Sequence, residues 1–233
     1  MINGKKVLAI TLARGGSKAI PKKNITKING IPLIGYTISE ALASKFIDHY
    51  VVSTDDKNIA DISENLGASV PFIRPPHLST DEAKSSDALI HAIEFLEERG
   101  HTFDYIVELM ATNPLKKSFH IDECINLIEE KNYDFLVAVK RVQDGHPSRL
   151  KYIEDGVLKD FYPEIPESRR QDLTPDAYIR CGSIYVMRKQ MLIQTSARYG
   201  FNTGAYVMGD EFVINIDEPI DLLVAQKLLE NQS

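Results

Sequence analysis

Strand-like and helix-like segments alternate along most of this chain, and that alternation limits the folds open to it more than any other feature. Residues 7–12 form a short apolar run closed by Arg14-Gly15-Gly16, the pattern of a strand buried on both faces. Residues 33–42 carry apolar side chains at helical spacing, 50–53 read as a strand, and 58–66 as a helix stopped by Gly67. Residues 69–73 read as a short extended piece. Residues 87–98 predict a helix followed by Gly100, 105–110 a strand, 121–130 a helix and 135–139 a strand. Strands alternating with helices predict an α/β fold with a mostly parallel sheet covered on both sides. Ligands in such sheets bind beyond the carboxyl ends of the strands, so the loops at 13–27, 54–56, 110–116 and 140–149 are the places for chemistry.

The pattern changes after residue 140. Residues 141–178 are rich in Pro, Arg and Asp, with short alternating pieces at 150–153 and 157–161. They read as an inserted hairpin and extended arm with too few apolar residues to form a core of their own. Strand patterns resume at 183–187 and 207–216, and a helix is expected from Pro219 to about Leu229, Pro being favoured in a first helical turn. The expected organisation is one domain over 1–233 with 141–178 as its arm.

Composition excludes several classes. The 233 residues are 43% hydrophobic with a net charge of −6, which gives no basic excess for nucleic acid. No stretch approaches the ~18 apolar residues of a membrane helix. The start is not a signal peptide, because its apolar run is short and leads straight into a basic glycine loop. Two cysteines, Cys124 and Cys181, make no disulfide framework, which favours a reducing, cytoplasmic setting. Neither has a neighbouring His in sequence, and no Cys/His set has zinc spacing.

The segment directly after the first strand, Ala13-Arg14-Gly15-Gly16-Ser17-Lys18-Ala19-Ile20-Pro21-Lys22-Lys23-Asn24, carries the chemistry. Paired glycines let backbone N–H groups approach an anion, and Arg14, Lys18, Lys22 and Lys23 surround that turn with positive charge. A triphosphate needs this arrangement; a flexible basic turn without function is the alternative reading. The Gly-Lys-Ser/Thr ending of a Walker loop is missing, and so is the third glycine of the dinucleotide fingerprint.

This run resembles the signature of the CMP-sialic acid synthetases (acylneuraminate cytidylyltransferases). The likeness continues in order through Arg74-Pro75-Pro76-His77-Leu78-Ser79-Thr80-Asp81 with Ser85, Thr112-Asn113-Pro114-Leu115-Lys116, Arg170-Gln171-Asp172, Gly182-Ser183-Ile184-Tyr185 and Ile216-Asp217-Glu218-Pro219-Ile220-Asp221-Leu222. The resemblance implies a Rossmann-like nucleotidyltransferase with a small dimerisation arm, forming a homodimer with shared sites. Its implied reaction joins CTP to a nine-carbon nonulosonic acid and releases pyrophosphate. By motif, Arg14, Gly15, Gly16, Ser17, Lys18 and Lys23 would hold the phosphates, with Lys23, Arg14 and Asp217 as the catalytic group. Asn24, Arg74 and Ser85 would read cytosine and ribose. Arg149 and Arg170 match positions near the sugar carboxylate, Arg170 serving a neighbouring subunit. Met110, Thr112 and Cys181 fall on the sugar side.

Four positions depart from the family pattern: Ala19 for Gly, Met110 for Gln, Cys181 for Asn and Asn215 for Asp. If 207–216 is a strand, Asn215 and Asp217 point the same way and could share a Mg²⁺ ion, with Asp217 as principal ligand. Asp217 as the cap of the last helix is the structural alternative. Because three departures lie toward the acceptor, the expected sugar is a legionaminate- or pseudaminate-like acid rather than plain N-acetylneuraminate. The eight-carbon acid Kdo, or a nucleotide-binding protein without catalysis, are the alternatives.

Overall fold

The computed structural model describes residues 1–142 and 144–231. In chain order its elements are β1 (Val7–Leu12), β2 (Lys27–Ile28), β3 (Ile31–Pro32), α1 (Leu33–Leu42), β4 (His49–Ser53), α2 (Lys57–Asn65), α3 (Ser85–Glu97), β5 (Tyr105–Leu109) and α4 (Ser118–Glu130). They continue with β6 (Phe135–Val142), β7 (Lys151–Glu154), β8 (Val157–Asp160), β9 (Ala177–Arg188), α5 (Lys189–Thr195), β10 (Thr203–Val207) and α6 (Pro219–Glu230). Six strands form the central sheet in the order β10-β6-β9-β5-β1-β4. β1 runs parallel to β4 and β5, and β10 parallel to β6, while β9 is antiparallel to both its neighbours.

The apolar run of β1 is buried on both faces because its alternate residues serve different cores. Val7 and Ala9 join Ile34, Ile38, Ile121 and Ile125 under α1 and α4. Leu8 and Ile10 join Leu89, Ile93 and Leu96 under α3. This is the two-sided burial expected of a covered parallel sheet. α2 starts at Asp56, whose Oδ1 accepts from the Asn58 and Ile59 N–H groups at 2.7 and 3.2 Å. Residues 69–73 contribute only isolated bridges, Val51 to Ser69 and Thr54 to Ile73.

Two sequence expectations are corrected. Residues 207–216 are not a strand: the edge strand is β10, and the chain beyond it makes a 3-10 turn at Asp210–Phe212. Gly209 and the acidic pair Asp210-Glu211 break the ladder, and Ile216 is apolar because it packs against Ala225 and Leu229 of α6. Asp217 is also not the helix cap. Glu218 caps α6, and Asp221 Oδ2 accepts from the N–H groups of Asp217 and Glu218 at 2.9 and 2.8 Å.

The arm is a β7–β8 hairpin, and its stalk is made by β6 and β9, which extend past the core and pair Arg141 with Tyr178 and Val142 with Ala177. No helix among the described residues is long and apolar enough to cross a membrane. Cys124 and Cys181 are free and buried.

Candidate active site

Because β1, β4, β5 and β6 run the same way, their carboxyl ends deliver the loops after Leu12, Ser53, Leu109 and Val142 to one edge of the sheet. The antiparallel β9 begins at that same edge, bringing Cys181 and Gly182 to it. Three hollows adjoin there.

The first, about 230 Å³, is lined by Arg14, Arg74, Thr80, Ser85, Glu108 and Met110 among others. The second, about 240 Å³, shares Arg14 and Met110 with it and adds Ser17, Lys23, Asn24, Thr112, Asn215 and Asp217. The third, about 450 Å³, shares Asn215 with the second and is lined by Lys140, Arg180, Cys181, Tyr185 and Arg198.

Acidic residues organise the glycine loop. Gly15 donates its N–H to Asp55 Oδ1 at 2.9 Å. A Cβ on Gly15 would lie 2.7 Å from Asp56 Oδ2 and 2.8 Å from Asp56 Cβ, so close approach to the head of α2 requires glycine there. Gly16, by contrast, faces open space. Asn24 is buried and donates to the Arg14 carbonyl at 3.0 Å, which ties the far side of the loop to its start. Arg14 and Lys18 both reach Asp81, each at 2.6 Å. Those two bonds hold the Asp81 carboxyl below the ordinary carboxylate range. Asp81 therefore occupies two cations that the sequence assigns to phosphate. Arg74 is buried and donates from Nε to Ser79 Oγ at 2.9 Å.

Lys23 Nζ donates to the Ile216 carbonyl at 2.8 Å and to Asp217 Oδ1 at 3.1 Å. Asn215 donates its amide N–H to the other Asp217 oxygen. Lys23, Asn215 and Asp217 thus meet, although the residues between 208 and 217 are irregular rather than a strand. A Cβ on Gly182 would lie 3.3 Å from Asn215 Oδ1, and Gly182 itself has φ +58, so this point of β9, where its register with β6 shifts, favours glycine on two grounds. No group of three or more His, Cys, Asp or Glu that could cage a metal converges among the described residues. One exposed carboxylate beside one amide is still a fitting set for Mg²⁺, which commonly takes one or two carboxylates together with substrate phosphates.

The residues placed on the sugar side by motif do not gather in one place. Met110 and Thr112 line the middle hollow. Cys181 is 4% exposed with its Sγ 3.6 Å from the Met208 sulfur, and burial pushes its thiol up to about 11, the opposite of a nucleophile's requirement. Arg149 pairs with Asp144 at 3.3 Å within the arm. Arg170 lines a further hollow at the stalk with Arg141 and Asp210, which shares Lys140 with the third. Neither arginine lines any of the three adjoining hollows.

Sequence reasoning gave no role to Asp55, Asp81, Glu108, Lys116 and Arg198, although Asp81 and Lys116 fall within the motifs quoted above. Lys116 is fully buried beneath the 110–113 turn. Its Nζ donates to Thr37 Oγ1 and the Met110 carbonyl at 2.7 Å each, and to the Asn113 carbonyl at 2.5 Å. Burial pushes its pKa down to about 7. Glu108 offered one readable signal: a lone carboxylate inside a doubly buried strand requires a cation within reach, and the partly exposed Arg198 supplies it at 3.0 Å.

The chain is similar to known proteins over most of its length. The family described as Cytidylyltransferase matches residues 8–199. The chain is 33% identical over 223 residues to pseudaminic acid cytidylyltransferase of Campylobacter jejuni, covering 96% of each. It is 34% identical over 221 residues to N-acylneuraminate cytidylyltransferase of Streptococcus agalactiae, covering 94% of this chain and 52% of that protein. Among solved structures, CMP:2-keto-3-deoxy-manno-octonic acid synthetase complexed with CTP superposes with a TM-score of 0.73 at 16% identity, covering 98% of this chain and all of that one, a likeness of fold.

Proposed function

Since the chain belongs to the cytidylyltransferases of the CMP-sialic acid synthetase family and is a nucleotidyltransferase, we propose that it transfers CMP from CTP to a pseudaminate- or legionaminate-like nonulosonic acid. The observation that carries this reading is the order of the three hollows. A pocket with Arg74 and Ser85 leads through Arg14, Lys23 and Asp217 to a cavity whose charged lining residues, Lys140, Arg180 and Arg198, are all cations. The cytosine fits the first, the triphosphate the second and an acidic sugar the third. The apolar Met110 and Cys181 favour an acceptor with deoxy and N-acyl groups over plain N-acetylneuraminate.

In this reaction the anomeric hydroxyl oxygen of the acid bonds to the α-phosphorus while the α–β bridging bond breaks. Pyrophosphate leaves, and the hydroxyl proton passes to solvent. The glycine loop, Lys18 and Arg14 hold the leaving phosphates once Asp81 releases its two cations, and Lys23 offsets charge growing on the transferring group. Asp217 and Asn215 would hold Mg²⁺ against the phosphates, where it would neutralise charge at the α-phosphate. The arm supports a homodimer: Ile153 and Leu158 on the hairpin are 73% and 66% exposed, apolar surface that a second copy would cover.

The test is pyrophosphate release from CTP, with and without Mg²⁺, using N-acetylneuraminate, legionaminate, pseudaminate and Kdo separately. Metal-dependent release is expected with legionaminate or pseudaminate, and little with ATP, GTP or UTP. Highest kcat/KM on N-acetylneuraminate would overturn the acceptor assignment.

A further inference from the structure

Glu108 stands on the face of β5 that packs under α3, two residues from Ile106, and is wholly buried. A carboxylate there is costly without a partner. Its partner comes from the loop after α5: Arg198 Nη1 donates to Glu108 Oε2 at 3.0 Å. The same guanidinium lies 4.8 Å from the ring centre of Tyr185 in β9. A buried carboxylate from one strand and a ring from the next therefore fix its position. Arg198 nonetheless remains 25% exposed and opens onto the cavity of Lys140, Arg180 and Asn215, whose lining holds no Asp or Glu. A guanidinium has five N–H donors, so one bond to Glu108 leaves a further edge to present.

We infer that Arg198 binds the carboxylate of the acceptor acid, and that Glu108 is the positioning residue that aims it; this rests on the function proposed above. Arginine is suited to the task because its planar fork can meet a carboxylate with two parallel hydrogen bonds. Lys140 and Arg180 keep the cavity cationic after Glu108 has offset one charge. Asn215, common to this cavity and the hollow of Lys23 and Asp217, sets an acid held on Arg198 beside the phosphate site. Arg149 lines neither, and Arg170, expected to serve a neighbouring subunit, lines instead the hollow that shares Lys140 with this cavity.

The experiment compares wild type, Arg198→Ala, Arg198→Lys, Glu108→Gln and the double variant Glu108→Leu/Arg198→Ala in pyrophosphate release with the preferred acid. Binding of that acid and of its methyl ester is measured alongside by calorimetry. Arg198→Ala is expected to raise the acceptor KM by roughly ten- to a hundredfold, the size of a lost charge-assisted hydrogen bond. The KM for CTP should stay within about twofold, which separates acceptor binding from a general loss of structure. The methyl ester should bind wild type and Arg198→Ala alike, and Arg198→Lys should restore part of the loss. Glu108→Gln should raise the acceptor KM less than Arg198→Ala does. The double variant removes the buried carboxylate with its cation, so it tests binding without an unpaired charge in the core. An unchanged acceptor KM in both Arg198→Ala and the double variant would overturn the inference while leaving the cytidylyltransferase reading intact. A wild type that releases no pyrophosphate with any of these acids would overturn both.

Discussion

Lys23 Nζ lies 3.1 Å from Asp217 Oδ1, so in the free protein the cation assigned to the α-phosphate and the carboxylate assigned to the metal are paired with each other. Lys23 is mostly buried, while Asp217 is 63% exposed at the mouth of the hollow. Binding of CTP with its metal would exchange this pair for Lys23 on phosphate and Asp217 on the ion. Each residue then acts on charge that grows in the transition state. Lys23→Ala and Asp217→Ala should each lower kcat by about 10²–10³-fold. Asp217→Ala should in addition raise the Mg²⁺ concentration needed for half-maximal rate, and Lys23→Ala should not. A metal titration of pyrophosphate release distinguishes the two; identical metal dependence would refute the assignment of Asp217.

The two glycines of the loop should behave differently. A methyl on Gly15 meets Asp56 Cβ at 2.8 Å, and Asp56 is the cap of α2. Gly15→Ala should cost about 1–3 kcal/mol in urea unfolding, the usual range for an overpacked position. A methyl on Gly16 meets nothing. Gly16→Ala should leave stability within about 0.5 kcal/mol of wild type and instead raise the KM for CTP, because the added carbon stands where phosphate must approach. Equal stability losses at both positions would contradict this division.

The parts legible in sequence are those carried by local patterns. β1 was readable because its continuous apolar run answers two cores, and the glycine loop because its cations lie close together in the chain. Residues 207–216 misled because Val213, Ile214 and Ile216 are apolar for a different reason: they lie in or against buried clusters outside the ladder. The true edge strand begins with Thr203 and Gly204, a weak pattern held by pairing with β6. Glu108 and Arg198 are 90 residues apart, and Lys116 and Thr37 are 79 apart. Such pairs have no local spacing to betray them, and only the assembled sheet brings them together.

The hairpin gives a prediction about assembly. Its apolar residues serve no core within the chain, since Ile153, Val157, Leu158 and Phe161 are all exposed. Apolar surface of that kind on a projecting arm is expected to be covered by another copy. Ile153→Asp with Leu158→Asp should convert a dimer to a monomer in sedimentation analysis without lowering the unfolding midpoint of the core domain. A wild type that sediments as a monomer at micromolar concentration would refute the assignment.

Lys116 makes the stability of the domain depend on pH in a definite direction. Three oxygens surround its ammonium, yet burial pushes its pKa down to about 7 from 10.5. Below pH 7 the folded and unfolded chains both hold this proton, and the cost of burying the charge is fully present. Between about pH 7 and 10.5 the unfolded chain binds more protons than the folded one, so this group's contribution to stability improves as pH rises. Lys116→Met removes the titration. The stability of wild type relative to Lys116→Met should therefore increase by up to about 1.4 kcal/mol per pH unit between pH 7.5 and 9.5. Paired urea titrations across that range give the difference directly. A constant difference would mean that Lys116 keeps its proton throughout, held by the carbonyls of Met110 and Asn113 strongly enough to outweigh its burial.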